Sequence, residues 1–138
     1  ERKESRGAHY RTDYPTRDST GVRDYIHVTD LARAHVMALR SLLNGGPSAA
    51  YNLGNGRGFS VREVIATVSA VTGREIAVRV GPRRAGDPPM LVGDATRIHD
   101  ALGWKPELPT LEAMVKTAWA WHRRVTESSS QSSHVVGD

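Results

Sequence analysis

Cysteine is absent from the 138-residue chain, which excludes disulfides, thiolate nucleophiles and cysteine-bearing metal sites. The absence fits a reducing, cytoplasmic setting. Aromatic residues make up 6% of the chain and hydrophobic residues 38%, so the core is expected to be modest and mainly aliphatic. No apolar run approaches the length of a membrane span, and the polar, charge-mixed opening ERKESRG does not read as a signal peptide. The six histidines show no H-x-x-x-H or H-E-x-x-H pairing, so no metal site is expected.

What is abundant is positive charge. The net charge is +4 and the pI about 9.8, mostly through arginine, whose planar fork suits phosphate. The balance asks for an anionic partner: nucleic acid, an acidic membrane surface or a phosphorylated small molecule. Against nucleic acid, the basic residues are scattered rather than striped and aromatics do not interleave with them.

The stretch Gly21–Ala38 (GVRDYIHVTDLARAHVMA) reads as a strand over Tyr25–Val28 running into a helix capped by Thr29 or Asp30. Leu31, Ala34, His35, Ala38 and Leu42 fall on one face of that helix, with His35 as a hydrogen-bonded core histidine. Asn44-Gly45-Gly46-Pro47 stops it. A short strand over Ala50–Leu53 and the turn Gly54–Gly58 (GNGRG) follow. That turn runs from strand to helix but matches neither the Walker pattern nor G-x-G-x-x-G. Ser60 with Glu63 forms a capping box for a second helix buried along Val61, Val64, Ile65, Val68 and Val71, which Gly73 ends. Ile76, Val78 and Val80 alternate as a half-buried strand.

Gly81–Pro89 is then a loop with a stiff Pro-Pro exit. Its Arg83-Arg84-Ala85-Gly86-Asp87 can hold a phosphate through an arginine fork and a sugar hydroxyl through Asp87. As residues alone, the same five also suit a solvated charged turn. Asp94 caps a short helix carrying Ile98, Ala101 and Leu102 and closed by Gly103, and Thr110 starts a last helix. Residues 126–138 form a Ser-rich tail expected to be disordered. Arg23, at the end of a loop and the start of a strand, is the other candidate anion ligand.

Four ordered blocks carry a family resemblance. They are Asp13-Tyr14-Pro15-Thr16 through Val22-Arg23-Asp24-Tyr25-Ile26-His27-Val28 to Ala34-His35; Tyr51-Asn52-Leu53-Gly54-Asn55-Gly56 with Phe59-Ser60-Val61; Pro82-Arg83-Arg84 with Gly86-Asp87-Pro88; and Leu102-Gly103-Trp104 with Pro106. Over about residues 10–123 the chain resembles the UDP-glucose 4-epimerase family of extended short-chain dehydrogenases/reductases. The resemblance implies an α/β fold: residues 1–125 as the C-terminal substrate-binding portion of a Rossmann-type enzyme, with short strands and about four helices. It also implies UDP-glucose/UDP-galactose interconversion, in which bound NAD takes a hydride from C4 of the hexose and returns it to the other face.

By the same resemblance Arg23 and Arg84 contact the UDP diphosphate, Asp87 holds the ribose, Gly86 belongs to that substrate loop, and Tyr10 lies near the uracil. None of Tyr10, Tyr14, Tyr25 and Tyr51 has a lysine four positions on, and no dinucleotide turn is present, so the chain by itself is expected to be inactive. A separate N-terminal half or a homodimer would be the protein partner. The competing expectations are a non-catalytic anion- or nucleic-acid-binding module and another nucleotide-sugar-modifying member of the superfamily.

Overall fold

The structure, a computed structural model, describes residues 20–81 and 88–132. In chain order the elements are β1 (Val22–Asp24), α1 (Val28–Leu43), β2 (Gly58–Ser60), α2 (Val61–Thr72), β3 (Met90–Leu91), α3 (Thr96–Leu102) and α4 (Leu111–Ser132). The sheet order is β2-β1-β3. β1 runs antiparallel to β2, with Arg23 opposite Phe59, and parallel to β3, with Arg23 opposite Leu91. The expected α/β class and four helices are therefore observed.

Local chemistry accounts for the helix boundaries. Ser60 and Glu63 close a reciprocal capping box, Ser60 Oγ accepting from the Glu63 amide at 3.1 Å and the Glu63 carboxylate from the Ser60 amide at 2.6 Å. Gly73 and Gly103 end α2 and α3 at φ of 67° and 69°, a left-handed conformation in which a Cβ is strained. α1 begins two or three residues earlier than the sequence suggests. Its N-cap is His27, whose Nδ1 accepts from the Thr29 amide at 3.0 Å, in place of Thr29 or Asp30. The His27 ring is buried, and its Nε2 is 2.8 Å from Thr117 Oγ1 on α4. An acceptor at Nδ1 leaves the proton on Nε2, so one neutral tautomer both caps α1 and ties it to α4.

Several expectations need correction. The strand placed at Tyr25–Val28 lies instead at Val22–Asp24, and neither Ala50–Leu53 nor Ile76–Val80 forms a strand. Ile76, Val78 and Val80 are exposed: alternation alone builds no strand without a neighbouring ladder in the right place. His35 is hydrogen-bonded, with Nδ1 2.8 Å from the Leu31 carbonyl, but it is exposed. No α2 residue is fully buried, because that helix packs mainly on α4. The first seven residues of the expected disordered tail, 126–132, continue α4.

The core is Ala34, Ile98 and Trp104, with Ile26, Met37, Tyr51, Leu53, Ala95 and Leu102 packed against it. Asp30 is the other organiser. It is fully buried, and its Oδ1 and Oδ2 accept from the Glu107 and Leu108 amides at 3.0 and 2.9 Å. Its carbonyl accepts from the Trp104 indole at 3.0 Å. The start of α1 thus holds the segment between α3 and α4.

α1 is apolar on two sides. While Ala34 faces the core, Val28, Val36, Leu39 and Leu43 stand exposed along the helix, Val28 by 72% and Leu43 by 77%. An exposed apolar face of this kind invites contact with other apolar surface. The chain alone is therefore expected to bind an apolar dye and to self-associate in sedimentation. Changing Leu39 and Leu43 together to lysine is expected to reduce both signals while shifting stability by about 1 kcal/mol or less. A dye-silent, monomeric wild-type chain would contradict the prediction.

Candidate functional site

The site is organised by β1. Val22 donates its amide to the Pro89 carbonyl at 2.8 Å. Arg23 Nη1 donates to its neighbour's carbonyl, Val22 O, at 2.8 Å and to Pro88 O at 3.2 Å. The guanidinium folds back over Gly21, where an added Cβ would stand 3.1 Å from Nη1. Across the strands its neighbours are Phe59 and Leu91, and the arginine is half-buried. Such shielding strengthens a contact to an anion relative to one in open water.

Pro88 and Pro89 follow directly on the segment that carries the second basic cluster. Of the site residues expected from sequence, Arg23 is described: it stands near the start of β1, which directly follows the loop that ends at Gly21 and is the middle strand of the sheet. Tyr10, Arg84, Gly86 and Asp87 lie outside the described residues. The structure nevertheless brings Arg23 against the exit of the Arg84–Asp87 segment, a contact 65 residues apart in sequence.

On the other side of β1 sits Asp24, which sequence reasoning left without a role. Its Oδ1 accepts from the Asn55 amide and its Oδ2 from the Gly93 amide, both at 3.0 Å. Asn55 in turn donates from Nδ2 to the carbonyls of Tyr25 and, at 3.4 Å, Pro109, while its Oδ1 is buried without a hydrogen-bond partner. The signal available in sequence was a carboxylate beside the candidate arginine, together with glycines at 54 and 93 whose close approach only the fold reveals. A cleft of about 290 Å³ borders this junction: Gly54, Asn55 and Gly93 line it together with Thr96, His99 and Trp104, and Arg23 is not among its lining residues.

No cluster of three or more histidine, aspartate or glutamate side chains able to hold a metal occurs among the described residues. A dinucleotide does not fit either. The glycine-rich turn Gly54–Gly58 leads into β2 rather than directly into a helix. The start of α2 is already filled by the Ser60 hydroxyl and the Glu63 carboxylate, which would repel a pyrophosphate there. No helix among the described residues is long and apolar enough to cross a membrane.

A small parallel-and-antiparallel sheet with an arginine at its centre, flanked by four helices, matches the C-terminal portion of an extended short-chain dehydrogenase/reductase. Residues 8–118 match the family described as GDP-mannose 4,6 dehydratase, and the chain belongs to that family. Among its relatives, the UDP-glucose 4-epimerase of Lacticaseibacillus casei is 48% identical over 118 residues, 86% of this chain and 36% of the relative. A solved UDP-glucose 4-epimerase superposes with a TM-score of 0.77 at 49% identity, covering 81% of this chain and 34% of that one. Another, from Bifidobacterium longum in complex with NAD+ and UDP, gives 0.68 at 41% identity, over 83% of this chain and 34% of that one. The chain thus spans about a third of the length of the proteins it matches.

Proposed function

We propose that the chain supplies the nucleotide-sugar clamp of an NAD-dependent UDP-hexose 4-epimerase acting on UDP-glucose and UDP-galactose. In this reading Arg23 and Arg84 grip the diphosphate, Asp87 accepts from the ribose, Gly86 lies in the same loop, and Tyr10 borders the uracil. The observation that carries it is the Arg23–Pro88 contact, which brings the first basic residue to the exit of the segment bearing the other. Two arginines are what a diphosphate requires, each charge-assisted contact being worth on the order of 1.5–3 kcal/mol. The epimerase relatives, at 48% identity, support the substrate class.

The residues described here bind and orient; they carry no hydride-transfer step. Hydride chemistry at the sugar belongs to NAD, which the described residues do not fit. With no Tyr-x-x-x-Lys in the sequence, the chain has no acid–base pair of the kind the family uses. The purified chain is therefore expected to convert no UDP-glucose. Activity would require the remaining two-thirds of a full-length relative, supplied covalently or as a separate polypeptide seated on the exposed face of α1.

Calorimetric titration with UDP tests the clamp. The wild-type chain is expected to bind, and Arg23→Ala and Arg84→Ala are each expected to weaken binding by roughly tenfold or more, about 1.4 kcal/mol. A folded chain that ignores UDP, or one that binds it equally well without either arginine, refutes the assignment. Affinity for oligonucleotides that collapses steeply with salt would favour the nucleic-acid module instead.

A further inference from the structure

We propose that Asp24 is the positioning residue of the clamp: its carboxylate locks two backbone segments to β1 and thereby sets where the Arg23 guanidinium points. The proposal rests on the assignment of Arg23 to the diphosphate.

Three observations support it. Both carboxylate oxygens are used, one on the Asn55 amide and one on the Gly93 amide, and both bonds are 3.0 Å. Hydrogen bonds to an ionised acceptor are about twice as strong as neutral ones, so this is a firm tether. The carboxylate also enters a junction that admits no other side chain. A Cβ at Gly93 would stand 2.8 Å from the Leu53 carbonyl oxygen, and one at Gly54 would lie 3.1 Å from Gly93 Cα and run into Asp24 Oδ2.

The third observation is the path of the 88–93 segment. It is held at its start by Val22 and Arg23, through the carbonyls of Pro89 and Pro88, and at its end by Asp24, through the Gly93 amide. Arg23 and Asp24 are successive strand residues and project to opposite faces of β1. The arginine therefore meets the segment that follows Arg84–Asp87 on one face, while the aspartate fixes the register of that segment from the other. Losing the tether at Gly93 would let β3, only two residues long, slide or fray against β1. The Pro88 carbonyl would then leave Arg23.

An aspartate that merely stabilises the fold would lower affinity whatever stands at position 23; one that acts through Arg23 would not. The test is a double-mutant cycle with the full 138-residue chain, read by UDP calorimetry. Asp24→Asn, which sets an amide nitrogen against one backbone N–H, is expected to weaken UDP binding tenfold or more in the wild-type background. In the Arg23→Ala background it is expected to change binding less than threefold.

Nuclear magnetic resonance supplies a readout that needs no ligand: hydrogen exchange of the Arg23 guanidinium Nη protons, which bond the Val22 and Pro88 carbonyls, is expected to accelerate at least tenfold in Asp24→Asn. Should Asp24→Asn fail to fold, Asp24→Ser, which retains one acceptor, takes its place in both measurements. Equal losses of affinity in the two backgrounds, or unchanged Arg23 exchange, overturn the proposal. A wild-type chain that does not bind UDP refutes the clamp assignment, while the Arg23 exchange measurement still decides whether Asp24 positions that side chain.

Discussion

Asp30→Ala is expected to destabilise the chain by about 3–5 kcal/mol, enough to leave much of it unfolded at physiological temperature. The carboxylate is fully buried and accepts two backbone amides, those of Glu107 and Leu108. Alanine leaves both donors without a protein partner at the place the buried carboxylate filled, at about 1–3 kcal/mol each. The small void adds to this. The Arg33 contacts contribute less: Arg33 reaches the buried Asp30 only at 3.3 Å, and its 2.6 Å contact is to an exposed Glu107 oxygen, a surface pair worth about 1 kcal/mol or less. A domain of this size has only about 5–15 kcal/mol to lose. Urea unfolding followed by circular dichroism measures the effect, and a loss below about 1 kcal/mol would mean that the loop amides find water. Asp30→Asn should fall between, since its amide keeps one acceptor but turns a donor toward one of the two N–H groups.

The consequence reaches the site. The loop that Asp30 holds includes Pro109, whose carbonyl is 3.4 Å from Asn55 Nδ2, and the Asn55 amide is one of the two groups on Asp24. If the proposed clamp holds UDP, Asp30→Ala should therefore weaken that binding even in the molecules that remain folded, by loosening the support behind β1.

Neither aspartate could be read for this role in sequence, and the reason is physical. Ser60 with Glu63, Gly73, Gly103 and the Asn44-Gly45 stop act within one or two turns of their own helix, so their chemistry is visible in a short window. Asp30 looked like a helix cap because a carboxylate in a first turn usually serves its own helix; here it serves amides 77 and 78 residues away. The strands failed for a related reason. Elements of two or three residues, such as β1 and β3, are too short to show a period, and pairing alone defines them. Ile76, Val78 and Val80 show the period and yet are exposed. At the site, the fixed charge of Arg23 at the junction of loop and strand was legible, but its approach to Pro88 is a property of the parallel β1–β3 register.

Trp104→Ala is the second large loss, expected at about 3–5 kcal/mol, the range for deleting a buried aromatic. Trp104 is 1% exposed and sits with Ala34 and Ile98 at the centre of a core that has few large side chains, so little nearby can move in to fill the space. Trp104→Phe separates packing from polarity. It keeps most of the ring but removes the indole bond to the Asp30 carbonyl, and should cost about 1–2 kcal/mol. The two residues are also expected to be coupled. Asp30 holds the segment after Trp104 by its carboxylate and Trp104 itself by its carbonyl, so once either anchor is gone the other restrains a loop already partly free. The combined variant Asp30→Ala/Trp104→Ala should then lose less than the sum of the single losses, by about 1 kcal/mol or more in a double-mutant cycle. Strict additivity would mean that the loop and the core are held independently.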